Sequence, residues 1–255
     1  MDGVDYKGQL VFHFRRSYLT SDSSGYNIWR TETTPRAIPA DQTAIIICDM
    51  WDKHWARGAG ERVADMAPYM NSVVSVARER GVQIIHAPSE TMEFYRDTLA
   101  RHRIRLAPEV PLPEEFERPS PALPIDDSDH GSDTGETEPE NVWTRQHPAL
   151  KIEQEVDVIS DDGREIYSFL HQQSIRQVLI MGVHTNRCIL DRSFGIKQMV
   201  KWGVNIALVR DLTDSLYNPA MPPYVGHHEG TRLVVSYIEK FWCPTIVSED
   251  LTSDE

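Results

Sequence analysis

The sequence predicts a three-layer α/β/α domain with a mostly parallel, doubly wound sheet, and three observations predict it. Ala44-Ile45-Ile46-Ile47-Cys48-Asp49 is an unbroken apolar, β-branched run of the kind that suits a strand covered on both faces. It is followed by Val63, Met66, Ala67, Met70, Val73, Val74 and Ala77 at three-and-four spacing, an amphipathic helix that stops at Gly81. The alternation then returns: a strand at Val82 to Ala87, a helix around Glu165 to Gln172, and a strand from Gln177 to Met181. A helix from about Asn186 to Trp202 and a strand from Val204 to Val209 follow. Repeats of these lengths imply right-handed βαβ units, whose ligands sit at the carboxyl ends of the strands.

Residues 1–40 read as an N-terminal β extension. Leu10, Phe12 and Phe14 alternate with Val11, His13 and Arg15, and a Ser/Gly/Asp turn cluster lies at Ser21 to Gly25. The domain itself is expected over 41–247. It is interrupted at 107–148 by a Pro-rich acidic insertion carrying Asp126, Asp127, Asp129, Asp133, Glu136, Glu138 and Glu140, read as a long solvated loop. Residues 248–255 read as an acidic tail, and His227 and His228 as part of a surface loop.

A formal charge of −13, from 39 acidic and 26 basic side chains, argues against nucleic acid or an anionic membrane surface as partner. No apolar run is long enough to span a bilayer, and Met1 to Tyr18 lacks a secretory pattern, so the expected location is the cytoplasm. Three cysteines, Cys48, Cys188 and Cys243, are an odd number without C-x-x-C spacing, so neither a disulfide framework nor a zinc knuckle is indicated. The plain reading of each is a small buried hydrophobe.

Three features stand together at the expected strand ends: Asp49, Lys151 after the acidic insertion, and Gly182-Val183-His184-Thr185-Asn186-Arg187-Cys188 leading from a strand into a helix. In this order they resemble the isochorismatase-like cysteine hydrolases, the group containing nicotinamidases, N-carbamoylsarcosine amidases and ureide-cleaving enzymes. The resemblance spans roughly Thr43 to Ser215 outside the insertion. The family's D-x-Q-N-D-F reads here Asp49-Met50-Trp51-Asp52-Lys53-His54, so His54 replaces a pocket aromatic. In the turn before the cysteine, His184 replaces a small residue.

The resemblance implies a Cys188, Asp49, Lys151 triad and a cis bond between Val183 and His184, with the N–H groups of His184 and Cys188 as oxyanion donors. It implies C–N hydrolysis of a small amide, carbamoyl or ureide compound, without a cofactor. The physical case is that a helix N-terminus and a nearby ammonium favour a thiolate, while a carboxylate moves the proton. Taken singly, Asp49 reads equally as a helix cap and Lys151 as a solvated lysine.

Trp51, His54, Trp55, Phe94, Tyr95 and His184 are expected to line the pocket, with core packing as the alternative for the aromatics. The nicotinamidase D-x-H is missing, strand two ending in His86-Ala87-Pro88-Ser89-Glu90. The expectation is therefore no metal, although Asp52, His54 and His86 could converge on one. Two other functions stay open: vinyl-ether cleavage of the isochorismatase type, and a non-catalytic interaction module. The expected partners are a small-molecule substrate and, through the edge of the N-terminal extension, further copies of the chain as a homo-oligomer.

Overall fold

The computed structural model describes residues 8–253. Its sheet has eight strands in the order β2-β1-β8-β7-β6-β3-β4-β5. These are β1 (Gln9–Ser21), β2 (Asn27–Pro39), β3 (Thr43–Cys48), β4 (Gln83–Ala87), β5 (Val158–Ile159), β6 (Gln177–Val183), β7 (Ile206–Asp214) and β8 (Thr245–Ile246). From β8 to β5 all neighbours run parallel, while β1 is antiparallel to both β8 and β2.

Alternation along the buried strands sorts their side chains into two cores. Ile45 and Ile47 of β3, Leu179 and Met181 of β6, and Ala207 and Val209 of β7 face helix α1 (Arg57–Glu79) through Val63, Ala67, Met70, Val73, Val74 and Ala77. Ala44, Ile46 and Cys48 face the other way, towards α4 (Gly163–Gln172), α5 (Cys188–Asp191), α6 (Ile196–Lys201) and α7 (His227–Phe241). Because β3 is buried on both faces throughout, it carries no polar alternation, and the unbroken apolar run is the consequence. Two short helices, α2 (Met92–Tyr95) and α3 (Leu99–Arg105), follow β4, and α8 (Glu249–Thr252) ends the described chain. Among the described residues no helix is long and apolar enough to cross a membrane.

Several boundaries differ from the sequence expectation. The helix read from Asn186 to Trp202 is two short helices, α5 and α6, broken at Arg192–Gly195, where Arg192 is extended and Gly195 N–H closes back on the Arg192 carbonyl. His227 and His228 open helix α7 rather than forming a surface loop. Residues 248–253 are not a solvated tail: α8 buries Leu251 against the α1 side of the sheet, and Asp250 bonds the His13 main chain and ring at 2.9 and 2.8 Å. The remainder of that segment, and residues 1–7 of the N-terminal extension, lie outside the described residues.

The acidic insertion has neither helix nor strand, yet it is not free in solvent. α1 has no side-chain cap of its own; Thr134 Oγ1 accepts from Gly58 N–H at 3.1 Å and Glu136 Oε1 from Arg57 N–H at 3.3 Å. These are the orphan donors of the first helical turn, where the helix dipole also favours an anion. Hydrogen bonds from Ser132 and Thr134 hold the Glu136 carboxyl down to about 2. Further along, Asp133 pairs with Arg62 of α1, Asp127 with Arg187, and Gln146 is buried beside His86. Acidic composition suggested solvation; the arginines that neutralise it come from distant parts of the chain.

Candidate functional site

At the carboxyl end of β3 the chain turns sharply, and Asp49 takes a left-handed conformation with φ of 46°. This turn aims its carboxylate back across the strand ends, where it is completely buried. Oδ1 accepts from Ser89 N–H at 2.8 Å, and Oδ2 from Arg192 Nε at 2.8 Å. The Asp49 charge also acts on the Cys188 thiol. Burial raises the Asp49 carboxyl above its ordinary range, while Arg192 and the hydrogen bonds pull against that rise.

Cys188 begins α5, one residue after the turn that leaves β6. That turn can exist only with Gly182: its φ is 112°, and any Cβ there would collide with the Cys48 carbonyl. The Val183–His184 peptide is cis. Thr185 N–H bonds the Asp214 carbonyl at 2.9 Å, Thr185 Oγ1 meets Thr213 Oγ1 at 2.8 Å, and the Asn186 carboxamide clasps the main chain of Leu216. These contacts hold the turn in place.

The thiol does not have the depressed value expected from the sequence. Burial and then the Asp49 charge raise it, and Arg192 and the His184 N–H only partly offset them. α5 is four residues long, so its dipole supplies little. Thiol and carboxylate therefore titrate as an interacting pair beside one guanidinium. Cys48 and Cys243 are buried and also raised, the latter to about 12, and Cys188 is the one cysteine of the three that is partly exposed.

Lys151 is not brought to this site. Its ammonium is 69 % exposed and pairs with Glu153; its N–H bonds Asn71 Oδ1 and its carbonyl receives Arg78, both on α1. The expected cation is absent because the chain after the insertion runs along α1 towards β5 before reaching the strand ends. Arg192 stands beside Asp49 instead, with its Nη1 3.2 Å from Glu90 Oε1. The sequence held a signal for it: Arg192 lies four residues after Cys188, one helical turn on.

Trp51, His54, Trp55 and His184 gather above the cysteine turn, with ring centroids of His54 and His184 4.8 Å apart and those of His54 and Trp55 5.4 Å apart. Trp143 of the insertion stacks on Trp51 at 4.1 Å, and Trp51 Nε1–H bonds the Ser89 carbonyl at 3.0 Å. Trp143 escaped the sequence reading because it lies in a stretch without periodicity. His54 Nδ1 accepts from Ala56 N–H at 3.0 Å, so its neutral tautomer carries the proton on Nε2, and burial pushes its value down to about 4. His184 is 2 % exposed, its value is likewise driven down by burial, and its Nε2 has no partner among the described residues.

Two of the expected pocket residues lie elsewhere. Phe94 is 55 % exposed beneath Arg145, and the buried Tyr95 hydroxyl accepts from Gln146 N–H at 2.8 Å, tying down the insertion. The possible metal trio does not converge either. Asp52 is engaged by Thr144 and Arg145, His86 lies between Gln146 and Asp157, and among the described residues no three His, Cys, Asp or Glu side chains are grouped to hold an ion.

No protein-family model matches this sequence, and no curated protein matches it. The structure, however, is similar to that of a cysteine hydrolase from Pseudomonas syringae pv. phaseolicola 1448A, with a TM-score of 0.54 and 16 % identity over 84 % of this chain and 92 % of that one. It also matches an isochorismatase family protein from Burkholderia thailandensis (TM-score 0.46, 13 % identity, 82 % and 93 % covered). A third match is the N-carbamoylsarcosine amidase of Thermoplasma acidophilum (TM-score 0.41, 10 % identity, 81 % and 96 % covered). The chain shares the α/β fold of the Pseudomonas syringae cysteine hydrolase, a mostly parallel sheet with helices on both faces.

Proposed function

We propose that the protein is a cysteine-dependent hydrolase that cleaves a C–N bond of a small amide, carbamoyl or ureide compound through a thioacyl-enzyme, with Arg192 rather than Lys151 as the cation of the triad. The observation that carries this reading is that the one partly exposed cysteine, Cys188, stands within the electrostatic reach of a fully buried carboxylate, Asp49, that Arg192 holds at 2.8 Å.

The arrangement supports the following chemistry. Cys188 Sγ attacks the carbonyl carbon as its proton passes to Asp49, so no free thiolate has to exist beforehand and the raised thiol value is no obstacle. The developing oxyanion is received by the N–H groups of His184 and Cys188. Asp49 then protonates the leaving nitrogen as the C–N bond breaks. In the second half a water attacks the thioester and gives its proton to Asp49, and Sγ leaves and recovers that proton. Arg192 keeps Asp49 charged when it must accept a proton. His54 and His184, which burial keeps neutral, and the stacked pair Trp51 and Trp143 would offer weakly polar surfaces to a planar uncharged group.

The test is a panel of small amides, N-carbamoyl compounds and ureides, read by ammonia or amine release and by intact mass for a trapped acyl-enzyme. Turnover should fall by about a thousandfold or more in Cys188→Ala and Asp49→Asn. Lys151→Ala should stay within about twofold of the parent, since an exposed ion pair contributes little. Turnover that survives Cys188→Ala would end the thioacyl reading, and a large loss in Lys151→Ala would return that residue to the site.

A further inference from the structure

The outermost strand of the sheet is left with one long open edge. β2 is exposed almost throughout, and among the described residues only β1 pairs with it. β1 meets β8 at a single register position, Arg15 to Thr245, so the outer half of the hairpin projects past the sheet. That half carries Tyr18, Leu19, Tyr26, Ile28 and Trp29, all large, apolar and at least 36 % exposed. Long edges with exposed apolar side chains are normally blunted by charge, bulges or short length.

The phase of the open edge can be worked out. Asp22 N–H bonds the Tyr26 carbonyl and Ala40 N–H the Gly8 carbonyl, so even-numbered pairs close the hydrogen bonds at both ends of the β1–β2 ladder. Odd-numbered residues of β2 therefore turn their main chain outward. Pro35 and Pro39 are odd, so their missing N–H faces the open side, as the rule for proline in edge strands requires. The uninterrupted outward donors are Asn27, Trp29, Thr31 and Thr33.

We propose that a second copy of this chain occupies that edge, β2 pairing with β2 antiparallel about a twofold axis at Thr31 to make one continuous sheet. In this register Thr31 faces the Thr31 of the partner subunit, Trp29 faces the partner's Thr33, and about six main-chain hydrogen bonds form before Pro35 stops the ladder. A register centred on Thr33 would set Pro35 against Thr31 and Arg30 against Arg36. Centred on Thr31, Arg30 lies directly opposite the partner's Glu32, and Glu32 opposite the partner's Arg30. Within the chain neither forms an ion pair among the described residues: Arg16, across the hairpin from Glu32, is turned over the Tyr18 ring at 5.8 Å. Such opposite-charge neighbours stabilise a two-stranded pairing, and like charges there oppose it.

Sedimentation velocity of the full chain over a concentration series tests the arrangement, with circular dichroism to confirm folding. The parent should be a dimer. Arg30→Glu and Glu32→Arg should each weaken dimerisation about tenfold or more. The double variant should recover the parent affinity, and mixing the two single variants should give a heterodimer. Thr31→Pro, which removes a central outward donor and keeps every main-chain bond to β1 while losing the Thr31 Oγ1–Ser17 Oγ contact, should leave a monomer, and Thr31→Val, which loses that contact alone, should stay a dimer. A monomeric parent, or a dimer indifferent to all of these changes, would overturn the proposal.

Discussion

Arg192→Met tests whether the guanidinium holds a buried charge or merely decorates it. Asp49 is wholly buried and Arg192 Nε lies 2.8 Å from it, so at neutral pH the variant must either keep an unpaired carboxylate or protonate it. Breaking a buried pair in this way costs about 3–5 kcal/mol. Protonation sets a ceiling of about 1.4 kcal/mol for each pH unit above the ordinary carboxyl value near 3.9, or about 4 kcal/mol at pH 7.

The sign follows from the direction of the shift. Burial raises the folded value of Asp49, so its favourable contribution is complete below the ordinary value and is lost as pH rises through the folded one. Removing Arg192 raises that folded value further. The deficit relative to the parent should therefore be about 1 kcal/mol or less at pH 5 and grow to about 2–4 kcal/mol at pH 7.5. Urea unfolding at the two pH values reads this directly, and Asp49→Asn in the Arg192→Met background should abolish the pH dependence. A deficit equal at both pH values, or unchanged by the second substitution, would mean that Arg192 acts through packing alone.

Three further outcomes are expected. Because the Asp49 charge adds to burial in raising the Cys188 thiol, Asp49→Asn should speed iodoacetamide labelling of Cys188 at pH 8 even as it abolishes turnover; slower labelling would show that proton transfer to Asp49 outweighs that charge effect and would refute it. His227 is opposed by burial but raised by Asp214, 2.9 Å away, so its contribution is present below its ordinary value near 6.5 and lost as pH rises through the folded one. His227→Gln should cost about 1–2 kcal/mol at pH 6 and little at pH 9, measured by urea unfolding; a constant loss would refute the pairing. Gly182→Ala should destabilise by about 3 kcal/mol or more, from the positive φ and the collision with the Cys48 carbonyl, and an unchanged melting temperature would show that the turn relaxes freely.

Much of the fold was legible because periodicity is a local consequence of burial. β3 is apolar without alternation because both faces are covered, and α1 is striped because one face is. The places of Asp49 and Cys188 were legible for the same reason, since each sits where an apolar strand ends. Lys151 was misplaced because a lysine after an aperiodic insertion has no register to say which way it points. Arg192 was overlooked because an arginine four residues after the cysteine reads as one more solvated charge until the fold brings Asp49, 143 residues away in sequence, within 2.8 Å of it.

The sequence by itself determined the layers, the strand-end location of the thiol and carboxylate, and the glycine on which the turn depends. Only the tertiary structure decided which cation meets the carboxylate, what the acidic insertion covers, and whether the thiol is raised or lowered. Those outcomes rest on distances between residues far apart in the chain. Ion pairing falls off steeply with separation and hardens with burial, and neither quantity is written in local sequence.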